Sequence, residues 1–177
     1  MGVRLALMVN SNSWGPGNGS TNGLTNSPNG GNFIGADGAF QVQAINQTIT
    51  DLVVGDKYSL SFWWAGAQQS GFNGANTENW TASLGGQSFT TATVNNTNHG
   101  FTGWQQATFS YTATASTEVL SFLAHGTPNG EPPFSLLDGV SLTGPTATAT
   151  PLPAALFFVV PALVGVFGFS RRKQNKA

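Results

Sequence analysis

The stretch KYSLSFWWAG, residues 57–66, decides the fold of this 177-residue chain. Its large apolar side chains recur at every second position, at Tyr58, Leu60, Phe62 and Trp64. A period of two places these side chains on one face of a β-strand, and Trp63 falls on the opposite face with serines. The stretch therefore predicts a strand with one face in a core.

The same period recurs downstream, between turns rich in glycine. The predicted inward rows are Phe40, Val42 and Ala44, then after a bend Ile45, Gln47 and Ile49, then Ala107, Phe109, Tyr111 and Ala113, then Leu120, Phe122 and Ala124, and last Val140 and Leu142. A short hairpin is expected at Gly85–Gly86, with Trp64 and Trp80 in the core. No helical pattern precedes residue 154, so the sequence predicts an all-β antiparallel sandwich over residues 33–143.

Three pieces carry a resemblance to a galactose-binding-like jelly roll of the carbohydrate-binding type. They are QTITDLVVGDKYSLSFWWAG at residues 47–66, GWQQATFSYTATASTEVLSFLA at 103–124 and FSLLDGVSLT at 134–143. The resemblance covers about 105 residues and implies an antiparallel jelly-roll β-sandwich. Its motifs are mainly strand-packing motifs, so they indicate a fold more than a ligand.

The C-terminal stretch PLPAALFFVVPALVGVFGFSRRKQNKA, residues 151–177, predicts a membrane segment. Residues 154–170 have no charged side chain, and as a helix they would span roughly 26 Å, the lower limit for a bilayer core. The basic end at 171–176 should stay on the cytoplasmic side, so the rest of the chain is expected outside the membrane. Residues 144–150 predict a Thr-rich linker.

This tail resembles the PEP-CTERM sorting signal of bacterial envelope proteins. The matching residues are Pro151, Leu152 and Pro153, followed after the apolar segment by Arg171, Arg172 and Lys173. Leu152 stands where the name-giving Glu of the family would be. The resemblance implies that an exosortase, an integral-membrane transpeptidase, is a partner that cuts the tail, and that the protein passes through the inner membrane to the cell surface or the extracellular matrix.

Composition excludes several functions. Residues 1–150 carry two Lys or Arg against seven Asp or Glu, a net charge of −5, so nucleic-acid binding through a basic surface is not expected. The chain has no cysteine, which excludes disulfides and thiolate metal sites, and no cofactor motif is present. Residues 1–32 are expected to be a Gly/Asn-rich loop or a truncated N-terminal part. The truncation is suggested because the apolar start MGVRLALMV is too short for a signal peptide.

Three connections contain most of the polar candidates, at 66–79, 95–103 and 125–135, and we expect them to gather at one edge or end of the sandwich. Sugars need flat aromatic faces for their C–H surfaces and amide or carboxylate partners for their hydroxyls. The candidate glycan platform is Trp63, Trp104, Gln68, Gln69, Asn76 and Glu78. The alternative is structural, with Trp63 packed beneath a loop and Trp104 closing the sandwich edge.

Other chemistries have weaker support. Asp138 is a candidate calcium ligand before the last strand, although turn capping is the simpler interpretation, and no metal site is otherwise expected. Glu78 and Glu131 are the only pair suggested for glycoside hydrolysis, and a solvated surface is the simpler expectation for all seven acids. His99 and His125 lack the close partners of a zinc site.

The leading hypothesis from the sequence is a non-enzymatic envelope or extracellular-matrix protein that an exosortase sorts. The alternative is a carbohydrate-binding module that retains exopolysaccharide, and a polysaccharide-active enzyme is the third hypothesis.

Overall fold

A computed structural model of the chain describes residues 3–4, 23–40, 43–69 and 71–145. The chain divides into two units, Met1–Pro145 and Thr146–Ala177, and the second lies outside the described residues. The predicted membrane helix at 154–170, the basic end and all six sorting residues fall there too. Within the described part of the chain, no helix is sufficiently long and apolar to span a membrane.

The described residues form ten β-strands. In chain order they are β1 (Val3–Arg4), β2 (Ile34–Asp37), β3 (Ile45–Ile49), β4 (Lys57–Gln68), β5 (Asn76–Leu84), β6 (Gln87–Thr90), β7 (Val94–Asn96), β8 (Gln105–Thr112), β9 (Glu118–Thr127) and β10 (Pro133–Thr143). Sheet A has the order β1-β10-β4-β8, with β2 also paired to β10. Sheet B has the order β3-β9-β5-β6, with β7 also paired to β5, and all of these pairs are antiparallel.

The main core lies between the two sheets and contains side chains from the predicted inward rows that begin at Tyr58, Ile45, Ala107, Leu120 and Val140. Trp80 and Phe62 are fully buried, Trp64 is 3% exposed, and the ring of Phe62 meets that of Phe122 edge-on with centroids 5.1 Å apart. Alternation of side chains along β4 and β9 produces this contact because each strand turns every second residue inward. The predicted all-β antiparallel sandwich and its tryptophan core are confirmed.

The hairpin between β5 and β6 turns at Gly85 and Gly86, as predicted. Their φ angles of +56° and +79° lie in the left-handed region, which glycine adopts without steric cost and which suits a two-residue hairpin. A Cβ on Gly85 would overlap the carboxylate of Glu118, so the turn also rests directly on that side chain.

Glu118 contradicts the expectation that every acid is solvated, because it is only 7% exposed. Its Oε1 accepts hydrogen bonds from the backbone N–H groups of Thr114 and Ala115 at 2.8 and 2.9 Å, and from the Thr114 hydroxyl at 2.7 Å. Burial alone would raise the pKa of Glu118, but these hydrogen bonds lower it below its ordinary value. The carboxylate therefore fastens the turn that precedes β9.

The N-terminal part contributes more to the sandwich than the sequence indicated. Val3–Arg4 and Ile34–Asp37 pair with β10, although both were expected outside any strand. Leu24 and Phe33 are buried against the outer face of sheet A, the face turned away from sheet B, and form a second apolar cluster there. The predicted strand at Phe40 is wrong, since Phe40 is 62% exposed and β3 begins only at Ile45.

Candidate functional site

The three polar connections meet at one end of the sandwich, as the sequence predicted. They are shorter than expected because β4, β5, β7, β9 and β10 extend into them, which leaves connections at 69–75, 97–104 and 128–132. The Gln68 amide links two of them by donating to the Gly74 carbonyl at 2.9 Å and accepting from the His99 N–H at 2.7 Å. The Asn76 amide reaches the third through the Glu131 carbonyl at 3.4 Å. We call this region the loop end.

Buried polar side chains occupy the two layers of the interior nearest the loop end. Asn76 faces Asn96 across the β5–β7 pair and both are 3% exposed, as is Gln68 on β4. The next layer contains Gly66 and the fully buried Glu78, and Trp64 and Trp80 follow in the layer below. These amides are buried between the sheets, so they hold loops in place and are closed to a ligand at the surface.

Glu78 corrects the sequence prediction most clearly. It was placed in a loop as a glycan contact, but it lies on β5 with no exposed surface, and neither carboxylate oxygen has a hydrogen-bond partner. Burial raises its pKa from 4.5 to about 8, because a charge without partners is costly in an apolar interior. The enclosed carboxyl cannot flank a glycosidic bond, so the proposed hydrolytic pair with Glu131 is wrong.

Trp104 holds the N-terminal segment in place. Its indole N–H donates to the Thr25 carbonyl at 3.2 Å, and its ring meets that of Phe33 edge-on at 5.2 Å. Gln69 follows the end of β4 and is half-buried. The structural interpretation therefore holds for Trp104, and the six platform residues do not form one surface.

Trp63 is the aromatic member of the platform that lies outside both apolar clusters. It lies on the outer face of sheet A and is half-buried, in direct cross-strand register with Gln106 of β8 and Asp138 of β10. Paired residues in antiparallel strands point to the same side, so the indole, the amide and the carboxylate share one face. We call these three residues the Trp63 triad.

The triad lies between a covered apolar region and a polar region of the outer face. Towards the loop end, Ala65 and Leu136 are covered by the N-terminal segment. In the other direction the rows of β8, β4 and β10 carry hydroxyl side chains, at Ser61, Thr108 and Ser141 and then at Ser59, Ser110 and Thr143. Arg4 of β1 pairs with Ser141, and the row after these is Lys57 with Thr112. Thr108, Ser110 and Thr143 are exposed. An aromatic ring thus borders a strip of hydroxyl groups, which suits contact with a polyhydroxylated ligand.

Asp138 was expected as a turn cap before the last strand, and that placement is wrong. It lies within β10, at a bulge that shifts the register between Asp138 and Ser141. Gly139 of the bulge has a φ of +58°, and a Cβ on it would lie 3.1 Å from the Trp63 ring and 3.2 Å from Asn29. The glycine bulge therefore lets the indole pack against the β10 backbone beside Asp138.

The Asp138 carboxylate is incompletely paired. Its Oδ2 is enclosed and accepts no hydrogen bond. In the part of the chain that the structure describes, no group of three or more His, Cys, Asp or Glu side chains could hold a metal ion. A buried acceptor without a donor is costly, and because this oxygen is enclosed, a ligand at the surface cannot reach it directly.

Sequence reasoning missed a second exposed group at the loop end. His99 has a φ of +56°, which is uncommon for a residue other than glycine, and its ring nitrogen Nε2 lies 2.7 Å from Asn73 Oδ1. Phe72, which precedes Asn73 in the chain, is 37% exposed. The sequence signal was the GFN run at 71–73 within a loop, which no periodicity distinguishes from an ordinary turn.

The chain matches no family model and no curated protein. Among solved structures it is similar to a module described as CBM35 from Cellvibrio japonicus Abf62, with 19% identity over 82% of this chain and 94% of that one and a TM-score of 0.48. It is also similar to a CBM4 structure, with 24% identity, a TM-score of 0.38 and coverage of 58% of this chain.

The alignment covers 61% of that CBM4 chain. A third similar structure is TmCBM61 in complex with β-1,4-galactotriose, with 14% identity over 64% of this chain and 70% of that one and a TM-score of 0.40. These neighbours belong to the carbohydrate-binding class that the sequence resemblance implied. With TM-scores no higher than 0.48, they carry no argument about the ligand of this chain.

Proposed function

We propose that this domain is a carbohydrate-binding module that holds a polysaccharide on the outer face of sheet A and does not cleave it. The observation that carries the proposal is the register of the Trp63 triad, which places an aromatic ring, an amide and a carboxylate side by side on one face. These are the groups that contact the C–H surface and the hydroxyls of a sugar. The hydroxyl strip beyond the triad extends the surface along a polymer.

This proposal favours the second hypothesis from the sequence over the first. The support for binding is the placement of Trp63, Gln106 and Asp138 side by side on one face of sheet A. Non-catalytic binding is consistent with the position of Glu78, which is enclosed in the core and cannot contact a glycosidic bond.

Replacement of Trp63 by alanine tests the site. We expect Trp63→Ala to weaken binding of a recognised polysaccharide by about thirtyfold or more, since loss of a central aromatic contact that dominates an interface costs about 2 kcal/mol or more. The measurement is isothermal titration of the full-length chain in detergent with ligands found on a glycan array. Phe72→Ala is the matched control, because it removes an exposed aromatic ring at the loop end.

Binding that survives Trp63→Ala but is lost in Phe72→Ala would move the site to the loop end. Failure of the folded wild-type chain to bind any saccharide would contradict the proposed function itself.

We further propose that the module is exported and sorted through its C-terminal tail. The support is the sequence alone: the Pro151–Pro153 element, the apolar segment at 154–170 and the basic end follow one another in the order of a sorting signal. Mass spectrometry of the surface protein should find a new C-terminus near Pro153. Mature surface protein that still ends at Ala177 would contradict cleavage.

A further inference from the structure

Between residues 23 and 145 the chain contains three asparagines that are followed directly by glycine. They are Asn29, Asn73 and Asn129, and the side chains of all three are exposed in connections between strands. Asparagine before glycine is prone to deamidation, because glycine has no side chain to hinder its backbone nitrogen as it attacks the asparagine side chain. Motif and exposure do not distinguish the three sites, but the contacts of the glycine N–H groups do.

At two of the sites the attacking nitrogen is already engaged. The N–H of Gly30 donates to the Ser27 carbonyl at 2.9 Å, and the N–H of Gly74 donates to Oδ1 of Asn98 at 2.6 Å. Such a hydrogen bond must break before the nitrogen can lose its proton and attack. One ordinary hydrogen bond lowers the population of the reactive form about fivefold. The fold therefore protects the asparagines before Gly30 and Gly74.

At the third site the attacking nitrogen is unprotected. Among the residues that the structure describes, the N–H of Gly130 has no hydrogen-bond acceptor. A Cβ placed on Gly130 would have no neighbour within 4 Å, so the space around this residue is open. Asn129 and Gly130 are both exposed in the connection at 128–132. No contact of the fold has to break before the nitrogen reaches the Asn129 side chain.

We propose that Asn129 is a site of non-enzymatic deamidation and that it reacts faster than Asn29 or Asn73. The backbone nitrogen of Gly130 loses its proton and forms a bond to Cγ of Asn129. The bond from Cγ to Nδ2 breaks, and the leaving group takes up a proton and departs as ammonia. Water then opens the cyclic imide at one of its two carbonyl carbons, which gives either aspartate or isoaspartate at this position.

The reaction changes both the charge and the backbone of the loop end. Each product carries a carboxylate in place of a neutral amide, close in sequence to Glu131. Isoaspartate also lengthens the main chain by one methylene ahead of Glu131 and Pro132, whose carbonyls accept from the Asn76 amide at 3.4 and 3.5 Å. Deamidation therefore weakens the hold of Asn76 on this connection. The proposal is independent of saccharide binding by the Trp63 triad.

The test follows each asparagine during incubation of the full-length chain in detergent and mildly alkaline buffer. Peptide mapping by tandem mass spectrometry measures the conversion, and electron-transfer fragmentation separates aspartate from isoaspartate. Asn129 should convert at least about fivefold faster than Asn29 or Asn73 in the folded chain. In urea the three rates should converge, because unfolding removes the hydrogen bonds that protect Asn29 and Asn73.

Asn98→Ala is the matched variant, since it removes the acceptor of the Gly74 N–H. Conversion of Asn73 should become about fivefold faster in this variant, while Asn129 keeps its wild-type rate. Conversion of Asn129 no faster than that of Asn29 and Asn73 in the folded wild type overturns the proposal. An unchanged rate at Asn73 in Asn98→Ala also contradicts it, because the hydrogen bond would then give no protection. The wild-type comparison decides the matter even if Asn98→Ala folds poorly.

Discussion

Replacement of Glu78 by glutamine should make the domain less sensitive to alkaline pH. In the wild type, burial raises the pKa of Glu78 from 4.5 to about 8, so the folded state holds a proton that the unfolded chain releases. Wild-type stability should therefore fall as the pH rises from about 4.5 to about 8, and level off above that. The glutamine variant is neutral throughout and lacks this loss.

The expected size of the effect is large. A pKa change of one unit corresponds to about 1.4 kcal/mol, so the full shift of Glu78 corresponds to at most about 5 kcal/mol. That is comparable to the whole stability of many small domains. Above pH 8, Glu78→Gln should therefore be more stable than the wild type.

Urea unfolding of both proteins from pH 5 to pH 9 measures the difference. The histidines and the other acids are common to both proteins, so their contribution largely cancels in the comparison. Parallel stability curves across this range would show that the Glu78 carboxyl is already ionised in the fold, which would contradict the prediction.

Replacement of Gly66 by alanine should be destabilising because Gly66 lies against that same carboxyl. A Cβ on Gly66 would overlap Oε2 of Glu78, and it would lie 2.9 Å from Cδ of Glu78 and 3.0 Å from Cγ2 of Val94. Overpacking of a tight core commonly costs 1–3 kcal/mol. The carboxyl has little room to move away, since Glu78 is fully buried.

A double-mutant cycle isolates this contact. Glu78→Ala should relieve much of the cost of Gly66→Ala, giving a coupling of about 1 kcal/mol or more. Gly126→Ala is the control. Gly126 pairs with Glu78, but its added Cβ would overlap Pro133, so Glu78→Ala should not rescue it. Additive effects of Gly66→Ala and Glu78→Ala on the free energy of unfolding would contradict the contact.

The strand faces could be predicted because alternation is a local property. Tyr58, Leu60, Phe62 and Trp64 face the interior of the sandwich as the pattern required, and Trp63 faces the other way. The turn at Gly85–Gly86 could also be predicted, because two consecutive glycines suit a two-residue hairpin.

The site could be predicted only in part. Trp63 was assigned correctly to an outward face, and the loops met as expected. Glu78 was misplaced because strand ends are poorly marked in a Gly- and Asn-rich sequence, and β5 begins at Asn76 without an apolar signal. The contribution of Val3–Arg4 was missed for a different reason, since a two-residue strand has no period to detect.

The sequence by itself determined the all-β class, the inward rows and the acidic charge, because these depend on composition and on spacing along one strand. Only the tertiary structure decided that Trp63, Gln106 and Asp138 are neighbours, since the register between β4, β8 and β10 joins residues far apart in the chain. The burial of individual side chains also depends on the tertiary structure. Glu78 is a buried acid because two sheets close over it, and no local pattern contains that information.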